Sequence, residues 1–100
     1  MGNTCPLLFV EGSAAHADEG NAKALAPEIA VNAVAPGMID LGDPAAKAFM
    51  RKMAKVTPMK RNGTGDEIAT AVRFFAEAPH FITGQILAVD GGLALSSSGE

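Results

Sequence analysis

Few side chains in this chain could do chemistry. It holds no tyrosine and no tryptophan, a single cysteine (Cys5), and two histidines, His16 and His80. The histidines stand far apart, and no metal site is expected. Ser13, His16 and Asp18 supply the residue types of a hydrolytic triad, but such trios arise freely from composition, and structural or solvated roles account for them. The more specific arrangement is Val31-Asn32-Ala33-Val34-Ala35-Pro36-Gly37, an apolar run halted by Pro-Gly. In a doubly wound sheet, ligands gather beyond the carboxyl ends of the strands, where this turn would stand. Glycine lets a flat ring approach the backbone, and proline fixes the direction of the exit. The same residues also read as a strand-ending turn with no ligand.

The elements that would position the turn follow from hydrophobic periodicity. Residues 6–10 form a short apolar run that reads as a buried strand, and Ile29–Ala35 suits a strand buried on both faces. Ser13–Ala26 is alanine-rich and reads as a helix interrupted at Gly20 and closed by Pro27. Asp43-Pro44 is a helix start, followed by Ala46, Phe49, Met50 and Met53 on one apolar face and ended by Thr57-Pro58. Thr64 and Glu67 match a capping box, and Ile68, Val72, Phe75 and Ala76 form the expected buried stripe of the helix over residues 66–78. Ile86-Leu87-Ala88-Val89 reads as a second buried strand, closed by Asp90-Gly91-Gly92. The chain is expected to lose order from Leu93 onward. A strand, two helices and a parallel strand make a crossover unit. The predicted fold class is therefore α/β, a partial doubly wound (Rossmann-like) parallel sheet of two to three strands with crossover helices.

The totals narrow the function classes. One hundred residues with a formal charge of −3 offer no general attraction for nucleic acid or an anionic membrane. No apolar run approaches a membrane span. Met1-Gly2-Asn3-Thr4-Cys5 has the start of an acylation signal, but Pro6 stands where Ser or Thr is favoured, so an ordinary N-terminus is expected. One cysteine permits no internal disulfide, and a cytoplasmic location is expected. Lys47, Arg51, Lys52, Lys55, Lys60 and Arg61 are six of the eight basic residues. They read as a solvated helix face, or as an attraction for an anionic cofactor or substrate. Phe49, Met50, Met53 and Met59 likewise read as the core face of a helix, or as an adaptable cover over a flat substrate.

VNAVAPG at 31–37, the basic-Gly pair Arg61 and Gly63, the acidic start of the next helix, and Thr83-Gly84-Gln85-Ile86-Leu87-Ala88-Val89-Asp90-Gly91-Gly92 occur in one order and spacing. Together they resemble the C-terminal third of the short-chain dehydrogenase/reductase family, over residues 23–95. The resemblance implies that the turn Pro36, Gly37, Met38 and Ile39 packs against a nicotinamide ring, with NAD(P) as cofactor. It implies a substrate lid over residues 42–60 and subunit pairing through residues 66–78 and 85–90. Met38-Ile39-Asp40-Leu41 lacks the Thr that many members place after this Pro-Gly. With Ala78–Gln85, that loop is most similar to the pteridine-reductase branch. The implied parent chemistry is NAD(P)H-dependent reduction of a carbonyl or pterin-type substrate.

The family's reaction uses Tyr-x-x-x-Lys, which this chain lacks, along with the Gly-rich pyrophosphate turn. Counting back from Ala24–Glu28 lands near Leu7 and Glu11, and neither can deliver a proton as a phenol does. Residues 1–22 are read as a divergent segment, 23–95 as the family-like domain and 96–100 as a disordered tail. The expected function is a truncated reductase-like protein, inactive alone. Its partner would be a second copy or a complementing reductase subunit, without nucleic acid or membrane. The alternative is a non-catalytic association module that keeps the family's pairing surface.

Overall fold

Three parallel strands stand in chain order, β1 (Cys5–Val10), β2 (Ile29–Pro36) and β3 (Ile86–Val89). The structure is a computed structural model that describes residues 4–10 and 17–96. Glu11, Gly12, Ser13, His16 and the tail from Ser97 lie outside the described residues. Cys5 pairs with Ile29 and Val10 with Val34, while Ala33 pairs with Ile86 and Pro36 with Val89. The expected parallel pairing of residues 29–35 with the last strand is thus present, and β1 extends the sheet on the other side.

β2 is the centre of the fold because its small and β-branched residues let helices approach from both sides. Val31 and Val34 are fully buried, with Ala30, Ala33 and Ala35 beside them. Helix α1 (Ala17–Leu25) lies against β2 and buries Ala22. It runs straight through Gly20, where a break was expected; a mid-helix glycine costs only about 1 kcal/mol. Helix α3 (Gly65–Glu77) covers the other face, where Val34, Ala71 and Phe75 form a core flanked by Leu8, Ile68, Val72, Ile82 and Val89. Ala71 therefore replaces the expected Ala76, which is exposed, in the buried stripe. The capping box is formed as expected: Glu67 N–H donates to Thr64 Oγ1 at 3.2 Å and Thr64 N–H to Glu67 Oε1 at 3.0 Å.

Four further expectations change. β3 is not buried on both faces: Leu87 is 41% exposed and Ala88 is exposed. β3 pairs on one side only, and α1 on the Ala88 face lies against β2. Asp43 does cap, its Oδ1 accepting from Ala45 N–H at 3.0 Å, but it caps a 3-10 turn (Pro44–Ala46) that leads into α2 (Lys47–Val56). Of the expected α2 face, Ala46, Met50 and Met53 are half-buried, whereas Phe49 is 51% exposed and no α2 residue is fully buried. Finally, Leu93–Ser96 forms one helical turn, α4, where loss of order was expected. Asp90 supports it by accepting from Gly92 N–H at 2.9 Å and from Ala94 N–H at 3.1 Å. No described helix is long and apolar enough to cross a membrane.

The loop before β3 is clasped to the middle of β2. Val31 N–H donates to Thr83 Oγ1 at 2.9 Å, and Gly84 N–H donates to Val31 O at 2.7 Å. Asn32 is 4% exposed; its Nδ2 donates to Ile82 O at 3.1 Å and its Oδ1 accepts from Gln85 N–H at 3.0 Å. Gly84, at φ 77°, turns the chain between these bonds. Asn32→Ala strands both loop partners, and a buried polar group left unpaired costs about 1–3 kcal/mol. Urea denaturation of the variant should show a loss in that range. An unchanged midpoint would mean that the clasp contributes nothing.

Candidate ligand site at the strand ends

β2 and β3 end side by side, and their exits are held together by backbone. Gly37 N–H donates to Val89 O at 3.0 Å. A Cβ on Gly37 would lie 2.6 Å from Asp90 Cβ and 2.7 Å from Asp90 Cα. Asp90 therefore takes the space a side chain would need, and the packing of the two strand ends alone is enough to require glycine. Beyond Gly37 the chain runs alongside Gly63: Gly63 N–H donates to Met38 O at 2.8 Å and Asp40 N–H to Gly63 O at 3.0 Å. In this parallel bridge the flanking residues do the bonding, so Ile39's own N–H and C=O point away from Gly63. They have no hydrogen-bond partner among the described residues.

A cavity of about 330 Å³ lies against this junction, with Met38, Arg61, Glu67, Thr57, Val89 and Asp90 in its wall. Arg61 meets Glu67 as a two-pronged pair, Nη1 to Oε1 at 3.0 Å and Nη2 to Oε2 at 2.7 Å. The hydrogen bonds from Arg61, then that from the Thr64 amide, hold the Glu67 carboxyl down at about 2, and the same pairing raises Arg61. Both side chains are exposed, so the pair fixes geometry more than it adds stability. Asp90 accepts two backbone amides. Both carboxylates in this wall thus serve as hydrogen-bond acceptors, and Glu67, held at about 2, is not poised to donate a proton near neutral pH.

The closing turn docks on the end of α2. Gly91 and Gly92 have φ of 61° and 91°, and a Cβ on Gly91 would meet Thr57 Cγ2 at 2.9 Å. Thr57 is buried, its hydroxyl donates to Met53 O at 2.8 Å, and Met59 N–H donates to Gly91 O at 3.1 Å. Thr57 and Met59 therefore belong to the site, although the sequence marks Thr57-Pro58 only as a helix stop. The clue available was the Asp-Gly-Gly turn, whose glycines needed a neighbour.

Of the turn read as cofactor-facing, Pro36, Gly37, Met38 and Ile39 all lie at this junction. The positions reached by counting back for a catalytic pair do not join it: Leu7 is within β1, and Glu11 is outside the described residues. Asp18 lies in the first turn of α1. Among the described residues no group of His, Cys, Asp and Glu could hold a metal ion.

A parallel sheet of three strands with crossover helices is the frame of a Rossmann-like fold. The family profile described as enoyl-(acyl carrier protein) reductase matches residues 13–94. The chain is 44% identical over 82 residues to carbonyl reductase family member 4 of Danio rerio, covering 77% of this chain and 34% of that protein. It is 41% identical over 80 residues to the 3-oxoacyl-[acyl-carrier-protein] reductase FabG of Aggregatibacter actinomycetemcomitans, covering 74% and 33%. Its fold matches a small-chain dehydrogenase solved in complex with NADPH at a TM-score of 0.76 and 25% identity, over 90% of this chain and 51% of that one. The chain belongs to the short-chain dehydrogenase/reductase family. It spans about a third of the length of these curated relatives.

Glycine substitutions test the junction. Gly37→Ala drives a methyl into backbone and should destabilise by about 1–3 kcal/mol, the range for overpacking. The one close contact of a Cβ on Gly63 is the side-chain end of Ile39, Cδ1 at 2.8 Å, so Gly63→Ala should lower the melting temperature less. Equal effects on thermal unfolding would contradict the tight fit at Asp90.

Proposed function

We propose that this chain forms the nicotinamide-facing turn and substrate cover of an NAD(P)H-dependent carbonyl reductase, and that it does not turn over alone. The observation that carries the reading is the Ile39 backbone pair. One N–H and one C=O, without partners among the described residues and beside Pro36-Gly37, match the acceptor and donor of a primary carboxamide such as nicotinamide carries. The residues present fit that end of the cofactor only, because the chain offers no Gly-rich turn for a pyrophosphate. When bound, NAD(P)H supplies the hydride. Ile39 would orient the ring, and Pro36-Gly37 would set its depth against the ends of β2 and β3. The Met50 and Met53 side of α2 would cover the substrate and exclude water.

Proton delivery is the missing part. The family's acid is a tyrosine, the chain contains none, and the carboxylates at the junction are committed as acceptors. Loss of a general acid costs about 10²–10⁴-fold in rate. The names of the relatives, a carbonyl reductase and a 3-oxoacyl reductase, favour a carbonyl substrate. A pterin-type substrate is the narrower form of the same reading and is supported by the Met38–Leu41 and Ala78–Gln85 loops. The lone Cys5 suits the reducing conditions of the cytoplasm.

NADPH emission titrated with the pure chain should change on binding, while NADPH absorbance with ethyl acetoacetate stays constant. No emission change at any protein concentration would remove the cofactor turn. Steady oxidation lost on changing Gly37 would remove the claim of inactivity.

A partner belongs to the same proposal. Exposed Leu87 on the open side of β3 and half-exposed Phe74 on α3 leave apolar surface next to unpaired strand backbone. Such edges favour pairing with a second copy or a complementing reductase subunit. Sedimentation equilibrium should show concentration-dependent self-association, and a strictly monomeric folded species at high concentration would count against the second copy.

A further inference from the structure

We propose that the cavity between α2 and the loop at 60–64 binds the oxyanion end, carboxylate or phosphate, of an amphiphilic ligand, with Lys47 and Arg51 as its cationic contacts. The step from ligand to carbonyl substrate rests on the function proposed above; the binding itself does not. The cavity measures about 640 Å³, within the range of small-molecule pockets. Four cations and two carboxylates line it, in a molecule whose formal charge is −3. Most of these charges are engaged. Asp40 Oδ1 accepts from Gly42 N–H at 2.9 Å, and Asp43 Oδ1 accepts from Ala45 N–H. Arg61 is paired to Glu67, and Lys60 Nζ donates to Lys55 O at 2.9 Å.

Among the described residues, Lys47 and Arg51 are the two cations of this wall without such a partner. They are one turn apart on α2, so they repel each other along one face of the helix. Lys47 is also the first residue of α2, whose first turn carries no acidic residue and whose N-cap, Ala46, makes no side-chain cap bond. A cation there opposes the helix dipole. Nothing in the fold of α2 calls for this placement, and an oxyanion bound between the two cations would relieve both repulsions. The rest of the wall is apolar where Pro44, Met50 and Ala54 line it. That combination selects a ligand with an apolar body and an acidic end. Asp40 and Gly63 in this wall flank and pair with Ile39, so the body of the ligand would lie beside the proposed nicotinamide turn.

The test is an amide-shift titration of the isotope-labelled full chain with octyl phosphate, octanoate and octanol. The acids should shift amides within residues 40–64, and octanol should not. Binding of one acid alone supports the site and identifies its oxyanion. Lys47→Glu and Arg51→Glu should each weaken binding by about tenfold or more, as charge-assisted contacts do. Lys52→Glu changes the net charge equally but lies outside the cavity wall, and should leave affinity nearly unchanged. An acid at position 47 favours helix α2, so weaker binding in that variant cannot come from unfolding. Equal binding of octanol, an equal effect of Lys52→Glu, or no shift with either acid would overturn the proposal. Acid binding without any NADPH response would leave this site standing and remove the cofactor reading, and the converse result would do the opposite.

Discussion

Everything in this fold hangs on how β2 satisfies its backbone and its one buried polar side chain. Val31, Asn32 and Ala33 sit where no water reaches, between α1 on one side and α3 on the other. A buried N–H or C=O without a partner is costly, so the strand needs a second chain segment at a fixed height. Thr83, Gly84 and Gln85 are that segment. Because they are held by the side chain of Asn32 as well as by backbone, β3 can start at only one register. That register brings Val89 opposite Pro36, sets Asp90 against Gly37, and so builds the strand-end junction. The site is a consequence of the clasp as much as of its own residues.

The parts of this arrangement that were legible in the sequence are those governed by short-range rules. The capping box at Thr64 and Glu67 needs only residues three apart, and the Asp43-Pro44 start needs only neighbours. β2 announced itself by two-sided apolarity. What could not be read depends on distant neighbours. Asn32 is a polar residue within an apolar strand, and its partners lie some fifty positions away. Gly37 suggested room for a ligand, yet the nearest occupant of that room is Asp90. Phe49 has the spacing of a core residue, but α2 meets no broad surface against which to bury it, so periodicity overstated its burial. Ala71 and Ala76 could each complete the α3 stripe, and the position of the sheet decides between them.

The two ends of the segment 42–60 are built differently. Its C-terminal end is locked, with Thr57 buried, Gly91 pressed against it and Met59 bonded to the closing turn. Its N-terminal end rests on a 3-10 turn and an aspartate cap, with α2 only half covered. One end is thus tied to the sheet's own exit, and a change on Lys47 or Arg51 touches none of the bonds that hold that junction.

The clasp also has a consequence for how the chain is made. The sheet follows chain order, so β1 and β2 can meet as soon as both have left the ribosome. The partners of Val31 and Asn32, however, lie 52 and 53 residues later. At ordinary synthesis rates of about 5–20 residues per second, the strand that ends up most buried waits roughly 3–10 s for its second neighbour. During that interval one edge of β2 is open, on a strand that carries two valines and three alanines. A nascent chain in this state is a natural client for a holding chaperone, and crowded ribosomes on one message would favour pairing between copies before β3 exists.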